Sequence, residues 1–239
     1  ATENMSLRIA YEWDQIEKRL QDDPFWYFLQ NEDAGGINRI GLIFRLATNL
    51  AQKNDGIVLD GQPYSIFFYF SNQLQNNSAD DEWKCIRSIF MRLEEWYEDR
   101  ELFHVIGFIL QQGGRGNIST ITDLLDGGLT SSKLTFSMSL RRIIFKAIFG
   151  RSLEDIDQTE LLQEISEFCE DVTYSSASSK LRSILLLFNL TTLLSDPRSN
   201  VRFQFDSFKR ERWDIEHIRS VSNSRPDAAH EQDEWLGHC

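Results

Sequence analysis

Cysteine is scarce in this sequence, basic residues are outnumbered, and no apolar run is long. Each shortage excludes a class of protein. Cys85, Cys169 and Cys239 are the only cysteines, odd in number, widely spaced and without a CxxC pair. They supply neither a disulfide framework nor a zinc site, and they suit a reducing, cytoplasmic setting. Lys and Arg number 25 against 37 Asp and Glu, a formal net charge of -12. A broad duplex-binding face works by neutralising phosphates with Lys and Arg, so any DNA contact has to be local. The longest apolar run, residues 184–190, is interrupted by Asn189 and is too short to span a bilayer. No leading segment has the form of a signal peptide, and no membrane partner is expected. The Asn-x-Ser/Thr triplets at Asn76, Asn117 and Asn189 would matter only in a secreted chain.

What is present suffices for a sizeable core: 239 residues with 41% hydrophobic content make one large domain or two small ones. Leu7, Ile9, Trp13, Ile16 and Leu20 recur near helical spacing. Asp23-Pro24 then reads as a cap with a proline in the first turn, opening a short helix that holds Phe25, Trp26, Phe28 and Leu29 in the core. Ile40, Ile43, Phe44, Ala47 and Leu50 mark a third helix. Further helices are expected from Tyr64 to Gln75, from a cap at Asp80 or Asp81 through Tyr97, and from Leu102 to Gln111. A short one starts at Asn117 and stops at Gly127-Gly128, because glycine tolerates the left-handed conformation that ends helices. A long one begins at Ser131 or Ser132 and buries Phe136, Leu140, Ile143 and Ala147. An acidic helix covers residues 157–170. The most apolar one, residues 175–194, is expected to be central through Leu181, Ile184, Leu185 and Phe188.

After Asp196-Pro197 the period changes. Val201, Phe203 and Phe205 alternate with Arg202, Gln204 and Asp206, a strand pattern. Together with residues 212–218 this makes a β-hairpin joined through Ser207 to Glu211, and the polar remainder has little to bury. The fold class expected is mainly all-α, an irregular multi-helix bundle or array of about nine helices with a short C-terminal β-hairpin. The domains expected are residues 1–196, all helical, and residues 197–239.

Three features outside the hairpin invite functional readings. His104 lies in an apolar helix with no second ligand at i+4 and is expected to be structural. Gly113-Gly114-Arg115-Gly116 lacks the following Lys-Ser/Thr and preceding strand of a phosphate loop, and reads as a helix-ending loop. Arg141, Arg142, Lys146 and Arg151 form the clearest basic patch, either a solvated face or a contact for phosphates or an acidic neighbour.

The chemistry-bearing stretch is Arg212-Trp213-Asp214-Ile215-Glu216-His217-Ile218. On an extended segment Asp214 and Glu216 share one side and His217 takes the other. A histidine at a strand end can deprotonate a water, while a neighbouring carboxylate helps hold a divalent cation against a phosphodiester. The run from Phe208 through Lys209, Arg210, Glu211 and Arg212 to Ile218 resembles the opening of the HNH-like nuclease domain of GmrSD-type, modification-dependent restriction enzymes. In those proteins a Trp-x-Ile-Glu-His-Ile string follows a long helical region. Ala10-Tyr11-Glu12-Trp13-Asp14, Asp23-Pro24-Phe25-Trp26, Asn38-Arg39-Ile40 and Glu94-Glu95-Trp96-Tyr97-Glu98-Asp99 are similar to the part of such proteins that follows their N-terminal domain.

The resemblance implies that His217 is the general base, that Glu216 and Asp214 hold Mg²⁺, and that Lys209, Arg210 and Arg212 join the basic patch in contacting DNA. It also implies an N-terminal NTPase domain or subunit, resembling ParB and sulfiredoxin, that would carry the only nucleotide site. Self-association into a homo-oligomer is left open. Three departures shape the expectation. The family's His-x-x-Pro proline is replaced by Ser220, Asp60-Gly61-Gln62-Pro63 is not the family's Asp-Gly-Gln-Gln-Arg string, and no asparagine-bearing helix follows the hairpin. The chain, which starts without Met, is accordingly expected to be an internal piece of a phage-defence protein, inactive as a nuclease by itself. The other reading is a noncatalytic acidic interaction module in which Glu216 and His217 merely cap a hairpin.

Overall fold

In a computed structural model of the chain, the structure describes residues 2–30, 38–56, 64–112, 117–152, 158–171 and 178–211. Among these residues there are eleven helices and no strand. In chain order they are α1 (Thr2–Leu20), α2 (Asp23–Leu29), α3 (Arg39–Asp55), α4 (Ser65–Asn76), α5 (Ala79–Glu98) and α6 (Arg100–Gln112). Then come α7 (Ile118–Thr130), α8 (Lys133–Phe149), α9 (Gln158–Asp171), α10 (Ser178–Ser195) and α11 (Phe205–Arg210). The chain divides into two compact units, Ala1–Ser137 with Gln204–Arg210, and Met138–Phe203 with Glu211–Cys239. These are cut differently from the expected pieces 1–196 and 197–239, and most of the second piece lies outside the described residues.

The first unit is organised around α2. Asp22 precedes it in extended conformation and Pro24 sits in its first turn, where a missing N–H costs nothing. Its five residues Phe25 to Leu29 are all buried, and a helix apolar on every side has to be enclosed. Leu20 from α1, Leu46 from α3, Leu93 from α5 and Phe103 from α6 belong to the same buried core. Two arginines secure the approach to α2. Arg39 donates to the carbonyls of Leu20 and Gln21 and to the Asp23 carboxylate, and its guanidinium lies 5.2 Å from the Trp26 ring centroid. Arg19 packs over Phe25 and Tyr97 while pairing with Glu94 and Glu98.

The caps follow side-chain chemistry, with small shifts from the sequence expectation. Asn38 accepts from the amide of Gly41, and Gly56 closes α3 at a φ of 66°. Ser78, not Asp80 or Asp81, caps α5. Its hydroxyl accepts from the Asp81 amide and donates to the Asp81 carboxylate. Asp99 ends α5 and accepts from the amides of Glu101 and Leu102 to start α6. α7 runs through Gly127 and Gly128 to Thr130. Neither glycine has a positive φ, and a Cβ on Gly128 would only reach ordinary contact with the Phe136 ring, so neither marks a helix stop. On α8 the buried positions are Phe136, Leu140 and Ile148, whereas Ile143 and Ala147 are exposed. Steps of four, rather than the mixed threes and fours expected, set its inner stripe.

The second unit contains the rest of α8 with α9 and α10. Phe149 stacks on Phe145 at 4.4 Å and meets Phe168 of α9 at 4.7 Å, with Lys180 of α10 at 5.5 Å from the Phe168 ring. α10 buries Leu186 and Leu190 and leaves Phe188 exposed. The inward face expected through Phe188 is therefore not the one used.

The strand expected at residues 201–206 is a correction. Residues 201–204 have no regular structure, and Phe205–Arg210 is a helix whose one fully buried residue is Phe205. Phe205 lies 5.2 Å from Phe103 and 6.4 Å from Phe28, which stack on each other at 5.0 Å. It can do so because Gly107 of α6 has no side chain. A Cβ there would fall well inside van der Waals contact with the edge of the Phe205 ring. The second strand of the expected hairpin, residues 212–218, lies outside the described residues.

Gly107→Ala is expected to destabilise the chain by about 1–3 kcal/mol through overpacking, against the roughly 1 kcal/mol by which alanine is the better helix former. In urea denaturation the same change made beside Phe205→Leu should cost less, by at least about 0.5 kcal/mol of coupling. Equal costs in both backgrounds would mean that the glycine is not there to admit the ring.

Candidate functional site

Of the residues expected to carry function, Arg212, Asp214, Glu216 and His217 lie outside the described residues. Arg141, Arg142 and Lys146 are on α8 and Arg151 just past its end, all exposed. Arg142 and Lys146 are one turn apart and share a face; Arg141 is a third of a turn away. No acidic residue interrupts the sequence from Met138 to Arg151. Along the sequence the patch is thus a run of positive charge within an acidic protein.

Lys209 and Arg210 are on α11, and the helix separates them. Arg210 is exposed, with its guanidinium 5.6 Å from the Tyr27 ring. Lys209 turns inward to the C-terminal end of α2, where its ammonium donates to the carbonyls of Gln30 at 3.2 Å and Phe28 at 3.4 Å. Those are carbonyls that a helix end leaves without intrahelical partners, and the negative end of the helix dipole favours a cation there. Burial opposes this by penalising the charged form, and it pushes the Lys209 amine from its ordinary 10.5 down to about 7.

Asn117 completes the same helix end. Fully buried, it donates to the carbonyl of Leu29 at 3.0 Å. Its own side-chain oxygen, and both polar atoms of the buried Gln30 amide, make no hydrogen bond. Three successive carbonyls at the C-terminal end of α2, from Phe28 to the following Gln30, are therefore met by two side chains distant in sequence. Spare hydrogen-bonding capacity remains at this helix end.

His104 is fully buried, with Nδ1 2.7 Å from the Arg100 carbonyl one turn earlier and its ring edge-on to Phe103 at 5.2 Å. It is a structural histidine, as its apolar helix suggested. Among the described residues no group of three or more His, Cys, Asp and Glu gathers that could hold a metal ion. The expected Mg²⁺ site therefore rests on residues 214–217 alone. No described helix is long and apolar enough to cross a membrane.

Gln30 and Gly107 were not singled out by sequence reasoning, Asn117 was read only as a helix start, and the inward turn of Lys209 was not foreseen. One signal was available. Phe205, Phe208 and Lys209 stand at i, i+3 and i+4, with Asp206 in the first turn and the basic pair in the last, a helical arrangement in a stretch that also alternates. No known protein family, curated protein or solved structure matches this chain.

The lowered amine gives a pH dependence of defined sign. Between about 7 and 10.5 the unfolded chain binds more protons at Lys209 than the folded one, so stability rises with pH across that window. The burial penalty is full below the window and absent above it. Denaturation midpoints measured through this range should rise less steeply for Lys209→Met than for the unchanged chain. Matching slopes would show that the ammonium is solvated in the folded state.

Proposed function

We propose that this chain is the helical body of a DNA-restriction protein used in phage defence, resembling the GmrSD type, and that its C-terminal segment opens an HNH-like nuclease domain. One structural observation supports the arrangement. The segment immediately before Arg212 is a helix locked into the first unit by Phe205 over Gly107 and by Lys209 on the end of α2. A segment so fixed gives whatever follows it a defined point of departure.

In this reading His217 accepts the proton of a water that attacks the phosphodiester phosphorus, and the bond from phosphorus to the leaving oxygen breaks. Glu216 and Asp214 would hold Mg²⁺, and a cation held there would supply charge stabilisation for the phosphate and the leaving oxygen. Arg212, Arg210 and the patch of Arg141, Arg142, Lys146 and Arg151 hold the backbone of duplex DNA. Lys209 is better suited to positioning α11 than to touching phosphate. An NTPase domain or subunit would act with the chain, in the cytoplasm.

The second reading, a noncatalytic interaction module, is favoured by one observation: α4 carries exposed aromatic residues in a chain of net charge -12. The two separate on DNA. With the patch residues changed together to Ala, the slope of log affinity against log salt should fall by up to about 4, one per lost phosphate contact. A slope that does not change, or no binding at low salt, would remove the DNA reading. In a plasmid-nicking assay with Mg²⁺ or Mn²⁺ the chain alone should be nearly inactive, since Ser220 replaces the family proline. Strong cutting that is lost in His217→Ala would show instead that the site is complete.

A further inference from the structure

The first unit leaves one helix largely unburied. α4 has no buried residue, and an apolar stripe runs along it at i, i+3, i+4, i+7 and i+10 from Tyr64 through Phe67, Phe68 and Ser71 to Leu74. Tyr64 is 79% exposed, Phe67 65%, Phe68 62% and Leu74 50%. The opposite side, with Ile66, Phe70 and Gln73, is half-buried, and Phe70 meets Phe44 of α3 edge-on at 5.4 Å. Tyr64, at the start of α4, holds a left-handed backbone at φ 69°, a conformation costly for a residue other than glycine. The cost secures no burial of its ring among the described residues.

Charge narrows the identity of what covers this stripe. A quarter of the chain is charged, at 26%, yet from Tyr64 to Ser78 there is no Asp, Glu, Lys or Arg. Two copies that each carry -12 repel through most faces, and this one is neutral. The stripe is also self-complementary. Antiparallel pairing about Ser71 sets Phe68 opposite Leu74 of the second copy and Phe67 opposite its Gln75, so large rings of one half meet smaller side chains of the other. Ser71 at the centre is small enough to let the helices come close. The pairing also brings the first turn of α5, where Asp80 pairs with Arg8 and Lys84 and Asp81 with Lys84, towards the N-terminal end of the second copy's α4, so neither aspartate is set against it as an unpaired charge. Tyr64 makes no side-chain cap there.

We infer that α4 is a homodimer interface in which two copies of this chain pair antiparallel about Ser71. A helix of this length, about 18 Å, makes a small two-fold contact of the weak, reversible class.

Sedimentation of the full chain across a dilution series should show a monomer–dimer equilibrium. Phe68→Glu should weaken it by about tenfold or more, with helicity and melting temperature unchanged because the ring is exposed. In a chain with Cys85, Cys169 and Cys239 replaced by Ser, Ser71→Cys should give a disulfide-linked dimer under mild oxidation. Three results would overturn the inference: a monomer at every concentration, which would leave the stripe to a different partner; a dimer indifferent to Phe68→Glu; or a dimer that Ser71→Cys fails to link.

Discussion

The end of α2 is the constraint on which the first unit depends. A seven-residue helix with five consecutive buried side chains cannot lose its last carbonyls to water, because the apolar chains that enclose it exclude water as well. Their partners come from far along the chain: Asn117, 88 residues from Leu29, and Lys209, 181 residues from Phe28. Hydrogen bonding at one short helix thereby obliges the C-terminal segment to return to the N-terminal third. The return is matched by packing, since Phe205 enters the gap left by Gly107 and completes an aromatic group with Phe28 and Phe103.

This arrangement carries a cost that the fold accepts. An ammonium donating to two carbonyls in a poorly solvated place has no carboxylate among the described residues to offset its burial, and the amine is held near neutrality as a result. The side-chain oxygen of Asn117 and the Gln30 amide add further polar groups without partners at the same helix end. Buried polar groups of this kind specify a geometry more than they add stability. Here they fix where residues 205–210 stand, which is also where the proposed nuclease segment departs.

Much of the helical architecture was legible from residues 1 to 112, because amphipathic spacing and capping residues are local signals. The alternation of Val201, Phe203 and Phe205 was misleading for the same reason. A period of two over five residues describes an extended stretch as well as a strand, and the helix that begins at Phe205 is set by what Phe205 and Lys209 meet across the unit. Gly127-Gly128 read as a stop, since glycine has two uses. Only the structure shows that neither adopts the left-handed backbone of a stop and that α7 continues through both. For the candidate site, the residue types at Asp214, Glu216 and His217 suggested a chemistry on their own. The two roles of Lys209 and Arg210 were invisible, because adjacent basic residues look alike until one of them is buried.

The sequence by itself determined that the described chain is helical, where most helices begin, that the aromatic run after Pro24 is core, and that His104 is structural. These follow from periodicity, capping chemistry and the cost of exposing large apolar side chains. Tertiary structure alone decided that a segment at residue 205 closes a helix at residue 30, that Lys209 serves a helix end, and that α4 keeps its aromatic stripe at the surface. Each of those depends on which surfaces are left over once the other helices have packed, and no local pattern carries that information.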